Sequence, residues 1–495
     1  MGTTDINETT TATANVADDI HPEKNAPPTV PDTTSPRRWF HWFEPGTSLE
    51  EKRLILKLDW FLLSYSCLCF FIKWLDSSNV TNAYVSGMSA DLGFGAGSEL
   101  TWMNTFFNCG NLIGAPFANL IITVIRPRYW LPSCLALWSV FVLGMYRCET
   151  AGQFYALRFC CGLFESAAWP GIQYTLGCWY RRSEMARRSG FFVVSGVLGQ
   201  MFSGYLQAAL FSGMGGKGGL AAWRWLFIFD FLLAVPVAIY GLIFFPDTPE
   251  KTTAFYLNAW ERQRACERIA EEGRTPVGKL DWTVAKRIAV AWQTYVFTIA
   301  YALWSLTVGS YVMQYFTLYL KATGMYSTVQ VNNIPTTIGA VNFVFMIGSG
   351  FVADKIGRRG PVCLAVGSLL TFCYIILTVW NVPHNLTMAA FILCGCYGCF
   401  TPLLAGWVNE ACGGDQQMRA FLLGLMTSVG GALVIPFQQY QFPSAQAPHF
   451  AKTHGWPSAL VFVVALTLWT GVVVPLVQRH MESRKVAVHE EEFSG

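Results

Sequence analysis

Five residues able to do chemistry stand inside otherwise apolar stretches: Lys73, Asp76, Asn79, Arg158 and Glu165. If those stretches cross a bilayer, a basic side chain at mid-depth costs about 2.5–3.5 kcal/mol on insertion scales, so each such group must face a partner or a cavity. Lys73 and Arg158 supply positive charge, which suits an anionic substrate, and Asn79 adds a neutral hydrogen-bonding group. Asp76 and Glu165 are acids that can bind and release a proton. Arg158, Gly162 and Glu165 are spaced i, i+4, i+7, which places them on one helical face. Two bland alternatives stand beside these readings. Lys73 and Asp76, at i and i+3, can simply neutralise each other, and Arg158 with Glu165 can form a purely structural ion pair.

A second constellation is Gly350-Phe-Val-Ala-Asp354-Lys355-Ile-Gly357-Arg358-Arg359. A carboxylate near a helix end, a glycine turn and paired arginines make a charge clasp that can open and close, which suits a gate. Other chemistry is missing. Cys396 and Cys399 have zinc-like spacing but lie in an apolar helix without a second pair, so the 15 cysteines read as small packing residues and no metal is expected. No phosphate-cradling Gly-x-x-x-x-Gly-Lys-Ser/Thr occurs, and no nucleophile–base pair suggests an enzyme. No cofactor is expected.

The elements that must position these residues follow from hydropathy. The chain is 53% hydrophobic and only 13% charged, whereas soluble domains carry about 25% charged residues. Twelve apolar segments are each long enough to cross about 30 Å of hydrocarbon at 1.5 Å per residue. They fall at about 59–86, 101–125, 130–147, 153–179, 188–211 and 222–245, then 292–320, 332–352, 361–380, 387–410, 419–441 and 456–477. The reading is therefore an all-α membrane protein of twelve transmembrane helices in two six-helix halves. Its expected parts are a disordered tail over 1–57, helical bundles over 58–245 and 291–478, a polar central loop over 246–290, and a tail over 479–495. No apolar run precedes Leu58, so the first segment itself is expected to act as the targeting signal.

With the N-terminus inside, about 27 of the 34 Lys and Arg residues fall on the cytoplasmic side. Both termini are thus expected in the cytoplasm, with the plasma membrane as the expected location. Asn385-Leu386-Thr387, an acceptor sequon for glycosylation, falls in a short loop expected outside. A net charge of +3 gives no reason to expect nucleic acid as a partner.

The loop around Asp354 and Gly357-Arg358-Arg359 resembles the cytoplasmic signature of the major facilitator superfamily, and Arg158 followed by Gly162 resembles its fourth-helix signature. The resemblance implies a major facilitator fold, generally monomeric, with Asp354 latching the cytoplasmic gate. The corresponding loop after the second helix, Arg126-Pro127-Arg128-Tyr129-Trp130, lacks the acid, so the clasp is expected to be lopsided.

A closer resemblance covers residues 56–250, carried by Leu58-Asp59, Leu75-Asp76, Asn79, Asn82-Ala83-Tyr84-Val85-Ser86-Gly87-Met88, Arg126-Pro127-Arg128-Tyr129-Trp130-Leu131-Pro132, Trp179-Tyr180 and Trp223-Arg224-Trp225. These are similar to the fungal anion:cation symporter family, allantoate permease-like, and most of all to its yeast pantothenate branch. The family usually has Leu-Asp-Arg-x-Asn in the first helix, where this chain has Ser77 in place of the arginine. Lys73, one turn earlier, is a candidate replacement cation.

The resemblance implies secondary active transport of a small organic anion, a carboxylate or vitamin-like metabolite such as pantothenate, by proton symport into the cell. The alternative is export of a specialised metabolite by proton antiport. Superfamily exporters typically carry a glycine–proline signature in the fifth helix, and residues 190–210 contain no proline.

Overall fold

The computed structural model describes residues 42–43, 46–94, 97–271, 282–412, 416–481 and 483. Of the tail expected to be disordered over 1–57, residues 42–43 and 46–57 are described, and Leu49–Leu58 is helical, so the helical part of the chain begins earlier than expected. Every regular element among the described residues is a helix. Ten helices are long and apolar enough to cross a membrane: Leu49–Asp91, Pro127–Arg147, Arg188–Met214, Ala222–Phe244, Trp292–Thr323, Thr328–Ala353, Gly360–Val379, His384–Ala411, Phe421–Gln441 and Gly455–Met481. The second and fourth expected segments are helical too, as Glu99–Val124 and as Ala151–Glu165 followed by Ala168–Trp179. The fourth is interrupted at Ser166–Ala167 and carries Arg158 and Glu165, which lowers its hydropathy. The twelve are called the first to twelfth helices below.

Several helices outrun their apolar runs. The first begins ten residues before its expected start, because the Ser48 hydroxyl caps it by accepting from Glu51 N at 3.2 Å. Glu50 and Glu51 in its first turn favour the positive end of the helix dipole. At its other end Gly87 takes φ 121°, which bends the chain where most side chains would be strained. The seventh helix is broken between Leu306 and Val312, with buried Val308 held at φ 50°. A β-branched residue rarely adopts that conformation.

Pairing repeats between the halves. The first helix packs on the fifth, the second on the fourth and the third on the sixth; likewise the seventh packs on the eleventh, the eighth on the tenth and the ninth on the twelfth. Small residues allow the closest of these approaches. A Cβ at Gly162 would overlap the Phe107 carbonyl oxygen, and one at Gly199 would overlap that of Phe71.

One end of the bundle gathers the basic loops. There Asp59 accepts from Arg188 Nε at 2.6 Å, Arg188 Nη2 at 2.9 Å and the Tyr180 hydroxyl at 2.8 Å. Asp247, just past the sixth helix, accepts from the backbone N–H of Arg128 at 3.3 Å and so caps the third helix. The first half thus draws its acids from Asp59 and Asp247, outside the loop that lacks one. A short helix of the central loop, Ala259–Glu271, is held by Arg268, whose Nε and Nη2 lie 2.5 Å from Glu51 and 2.5 Å from Glu184.

Candidate anion and proton site

The four charged residues expected from the sequence, with Asn79, lie in the first half at mid-helix depth. In the second half, every Lys, Arg, Asp and Glu of the helices sits in a terminal turn. The intramembrane charge is therefore one-sided, with a charged pole in the first half facing a neutral one.

Lys73 and Glu165 are brought together across two helices, with Nζ 3.6 Å from Oε1. Glu165 is 1% exposed and neither of its oxygens has a hydrogen-bond donor, whereas the Lys73 side chain is 15% exposed. The lysine is thus the member of the pair that reaches accessible space. Arg158 is buried, and its guanidinium carbon stands 4.1 Å from the centroid of the Phe107 ring. Gly162 makes this contact possible by letting the second helix close on the fourth. Among the described residues no carboxylate lies within ion-pair distance of Arg158. Glu165, Asp76 and the Tyr311 hydroxyl of the second half are within its electrostatic reach.

Asp76 makes its hydrogen bond outside this group. Its Oδ2 accepts from Trp138 Nε1 at 2.8 Å, and its carboxyl lies within hydrogen-bonding reach of Asp230 on the sixth helix. The Lys73–Asp76 neutralisation weighed above is not what the fold builds, because Lys73 is occupied by Glu165. Asn79 is fully engaged: its amide N–H donates to Asp230 Oδ2 at 2.5 Å, and its Oδ1 accepts from Ser203 at 2.5 Å. Asp230 was missed in the sequence, although a carboxylate in the otherwise apolar helix Ala222–Phe244 was the signal for it.

The second half meets this group through neutral side chains. Asn108 donates to the Tyr311 hydroxyl at 2.9 Å, Asn104 to Gln314 at 3.0 Å and Thr105 to Gln439 at 2.8 Å. Further out, Thr101 donates to Ser444 at 3.0 Å, Asn332 to Ser86 at 2.9 Å and Lys321 to the Tyr84 carbonyl at 3.3 Å. All of these join the two halves away from the basic end. The conformation is closed at the end remote from the basic loops.

The loop signature sits at the basic end. Gly357 takes φ 67° and stops the eighth helix, its N–H bonding Ala353 O at 2.9 Å. Arg359 reaches across Gly406 to the tenth helix, donating to the Leu403 carbonyl at 3.1 Å and to Glu410 at 2.6 Å. Arg358 is exposed. The Asp354 side chain lies outside the described residues. Asn385 is exposed in the first turn of the tenth helix, while Thr387 of the same sequon is buried beside Tyr319.

A family model described as Major Facilitator Superfamily matches residues 66–438. A Pestalotiopsis fici protein named MFS transporter PfmaC is 74% identical over 468 residues, spanning 93% of this chain and 88% of that protein. The pantothenate transporter liz1 of Schizosaccharomyces pombe is 34% identical, over 82% of this chain and 79% of its own. The pantothenate transporter FEN2 of Saccharomyces cerevisiae is 33% identical, over 82% and 80%. Among solved structures, the crystal structure of a D-xylose-proton symporter aligns with a TM-score of 0.63 at 15% identity. It covers 84% of this chain and 97% of that one, a likeness of fold alone.

Proposed function

The chain belongs to the major facilitator superfamily, as an integral multi-pass transporter rather than an enzyme, and we propose that it carries a small organic monoanion together with a proton into the cell. The observation that carries this reading is the Lys73–Glu165 pair, with Lys73 reaching accessible space and Glu165 dry behind it.

The two charges couple by exchange. While Glu165 is ionised it holds Lys73, and neutralising either partner alone leaves the other as an uncompensated charge in low dielectric. A carboxylate arriving at Lys73 competes with Glu165, and a proton on Glu165 frees the lysine to take it. Anion and proton thus bind as a set. Arg158 strengthens the positive field at the same level, and its planar guanidinium is held flat on Phe107. The opposing surface of Tyr311, Gln314 and Gln439 meets the remainder of the substrate with neutral hydrogen-bonding groups. This favours a molecule with one anionic end, and pantothenate, which two of the relatives are named for, has that character.

Lys and Arg bias puts the basic end in the cytoplasm, so the conformation closed at the remote end corresponds to the inward-facing state. Glycine-stopped Arg358 and Arg359, with Asp354, form the clasp whose opening exposes the site to the cytoplasm, and Asn385 is a glycosylation candidate on the outer face. The test is uptake of labelled pantothenate and simpler monocarboxylates, at several external pH values, by cells making the protein in the plasma membrane. Uptake should rise as the outside is acidified. Accumulation that rises when the gene is deleted would instead mark export.

A further inference from the structure

Behind the anion site lies a second pair of acids that the coupling scheme does not use. Asp76 and Asp230 are 3% and 0% exposed, on the first and sixth helices, with their carboxyls within hydrogen-bonding reach of each other. Each spends one oxygen on a neutral donor: Asp76 Oδ2 on Trp138 and Asp230 Oδ2 on Asn79. Each keeps an Oδ1 without any donor from the rest of the protein. Among the described residues neither has a cation within ion-pair distance. Arg158 acts on Asp76 from beyond ion-pair distance, Glu165 acts on both acids, and the Cys69 and Cys161 thiols also face Asp76.

Two ionised carboxylates cannot share such a site, since like charges in a dry pocket repel without compensation. One bridging proton removes the repulsion and supplies the missing donor to an orphaned oxygen. We propose that Asp76 and Asp230 form a carboxyl–carboxylate pair that keeps a single proton through the transport cycle. Glu165 is then left as the carboxylate that loads and unloads. Among the described residues neither aspartate lies within ion-pair distance of Lys73, which is held by Glu165, so the bridging proton stays with the pair when the substrate leaves. Asn79, tied on one side to Asp230 and on the other to Ser203, locks the pair to the fifth helix.

The charge balance then fixes a stoichiometry, and this part rests on the proton-coupled reading above. Lys73 and Glu165 cancel, and the single charge left on the aspartate pair offsets Arg158. The empty site is neutral, and a monoanion keeps it neutral only by entering with one proton. Transport is one proton per monoanion and electroneutral.

The pair is read without transport, from the infrared carbonyl band of a protonated carboxyl in the purified protein. The band should persist into mildly alkaline pH, survive Glu165→Gln and vanish in Asp230→Asn. Its absence from the wild-type protein at alkaline pH overturns the pair. In proteoliposomes, Asp230→Asn should keep the wild-type midpoint of uptake against pH, because the amide still offers Asp76 a donor. A moved midpoint would make the pair a coupling site and overturn the proposal. An imposed membrane potential should leave the initial rate unchanged, and stimulation by potential would refute the stoichiometry. If Asp230→Asn fails to reach the membrane, Asp76→Asn serves for both readings. Wild-type uptake indifferent to pH would sink the coupling reading while leaving the infrared result to decide the pair.

Discussion

Lys73 is paired with Glu165 of the fourth helix, 3.6 Å away, and not with Asp76 three residues along its own helix. That choice of partner turns a local neutralisation into a link between two helices, and it makes the lysine's release depend on a proton. Lys73→Gln leaves Glu165 as an unpaired buried carboxylate. The expected loss is about 3–5 kcal/mol, relieved largely by Lys73→Gln/Glu165→Gln, which should restore surface abundance without restoring transport. Recovery of full transport by the double variant, read as uptake per molecule at the surface, would reduce Lys73 to a counter-ion.

Arg268 is buried between Glu51 and Glu184 and anchors the short helix Ala259–Glu271 to the first and fifth helices. Arg268→Ala should cost about 3–5 kcal/mol, since buried Glu184 loses its cation while Glu51 keeps Arg264, and should lower the melting temperature in detergent. At the rim of this cluster the Arg264 guanidinium holds the Glu271 carboxyl below the usual carboxylate range. A lowered folded value means that its contribution is present at neutral pH and is lost as pH falls through that value. The helix should therefore become sensitive to proteolysis only on acidification, and Glu271→Gln should abolish that dependence.

Thr101 and Ser444 join the halves at the end remote from the basic loops, with their hydroxyl oxygens 3.0 Å apart. In a background without reactive cysteines, Thr101→Cys/Ser444→Cys should cross-link on oxidation and stop transport, with reduction restoring it. Undiminished transport by the cross-linked protein would mean that this end does not open in the cycle.

Pro383 immediately precedes the tenth helix, whose first turn carries the Asn385 sequon. A thiol reagent that cannot cross membranes should label Pro383→Cys in intact cells. Labelling only after permeabilisation would invert the proposed orientation.

Much of the fold was legible because hydropathy is local: ten of the expected segments are helices long and apolar enough to span. The i, i+4, i+7 spacing of Arg158, Gly162 and Glu165 was legible as one face of a helix, which Ala151–Glu165 forms. What spacing could not show was which neighbour each charge would meet. The rotation of the first helix that sends Lys73 toward Glu165 and Asp76 toward Asp230 is set by packing against its neighbouring helices. The same holds for Asp247, whose carboxylate caps a helix 119 residues away in sequence. The break at Val308 was hidden as well, because Leu306-Thr307-Val308-Gly309 reads as continuous apolar chain and only the fold places Gly309 against the Tyr397 ring.

Anion and proton should bind to the same molecule in fixed ratio, and this can be read directly on purified protein in weakly buffered solution, without any transport assay. Adding pantothenate to the protein should raise the pH of the medium as Glu165 takes up a proton, with about one proton per bound anion if Lys73 and Glu165 exchange partners as described. Glu165→Gln should bind the anion with no proton uptake. Saturable anion binding by the wild-type protein without proton uptake, or equal proton uptake by Glu165→Gln, would contradict the account.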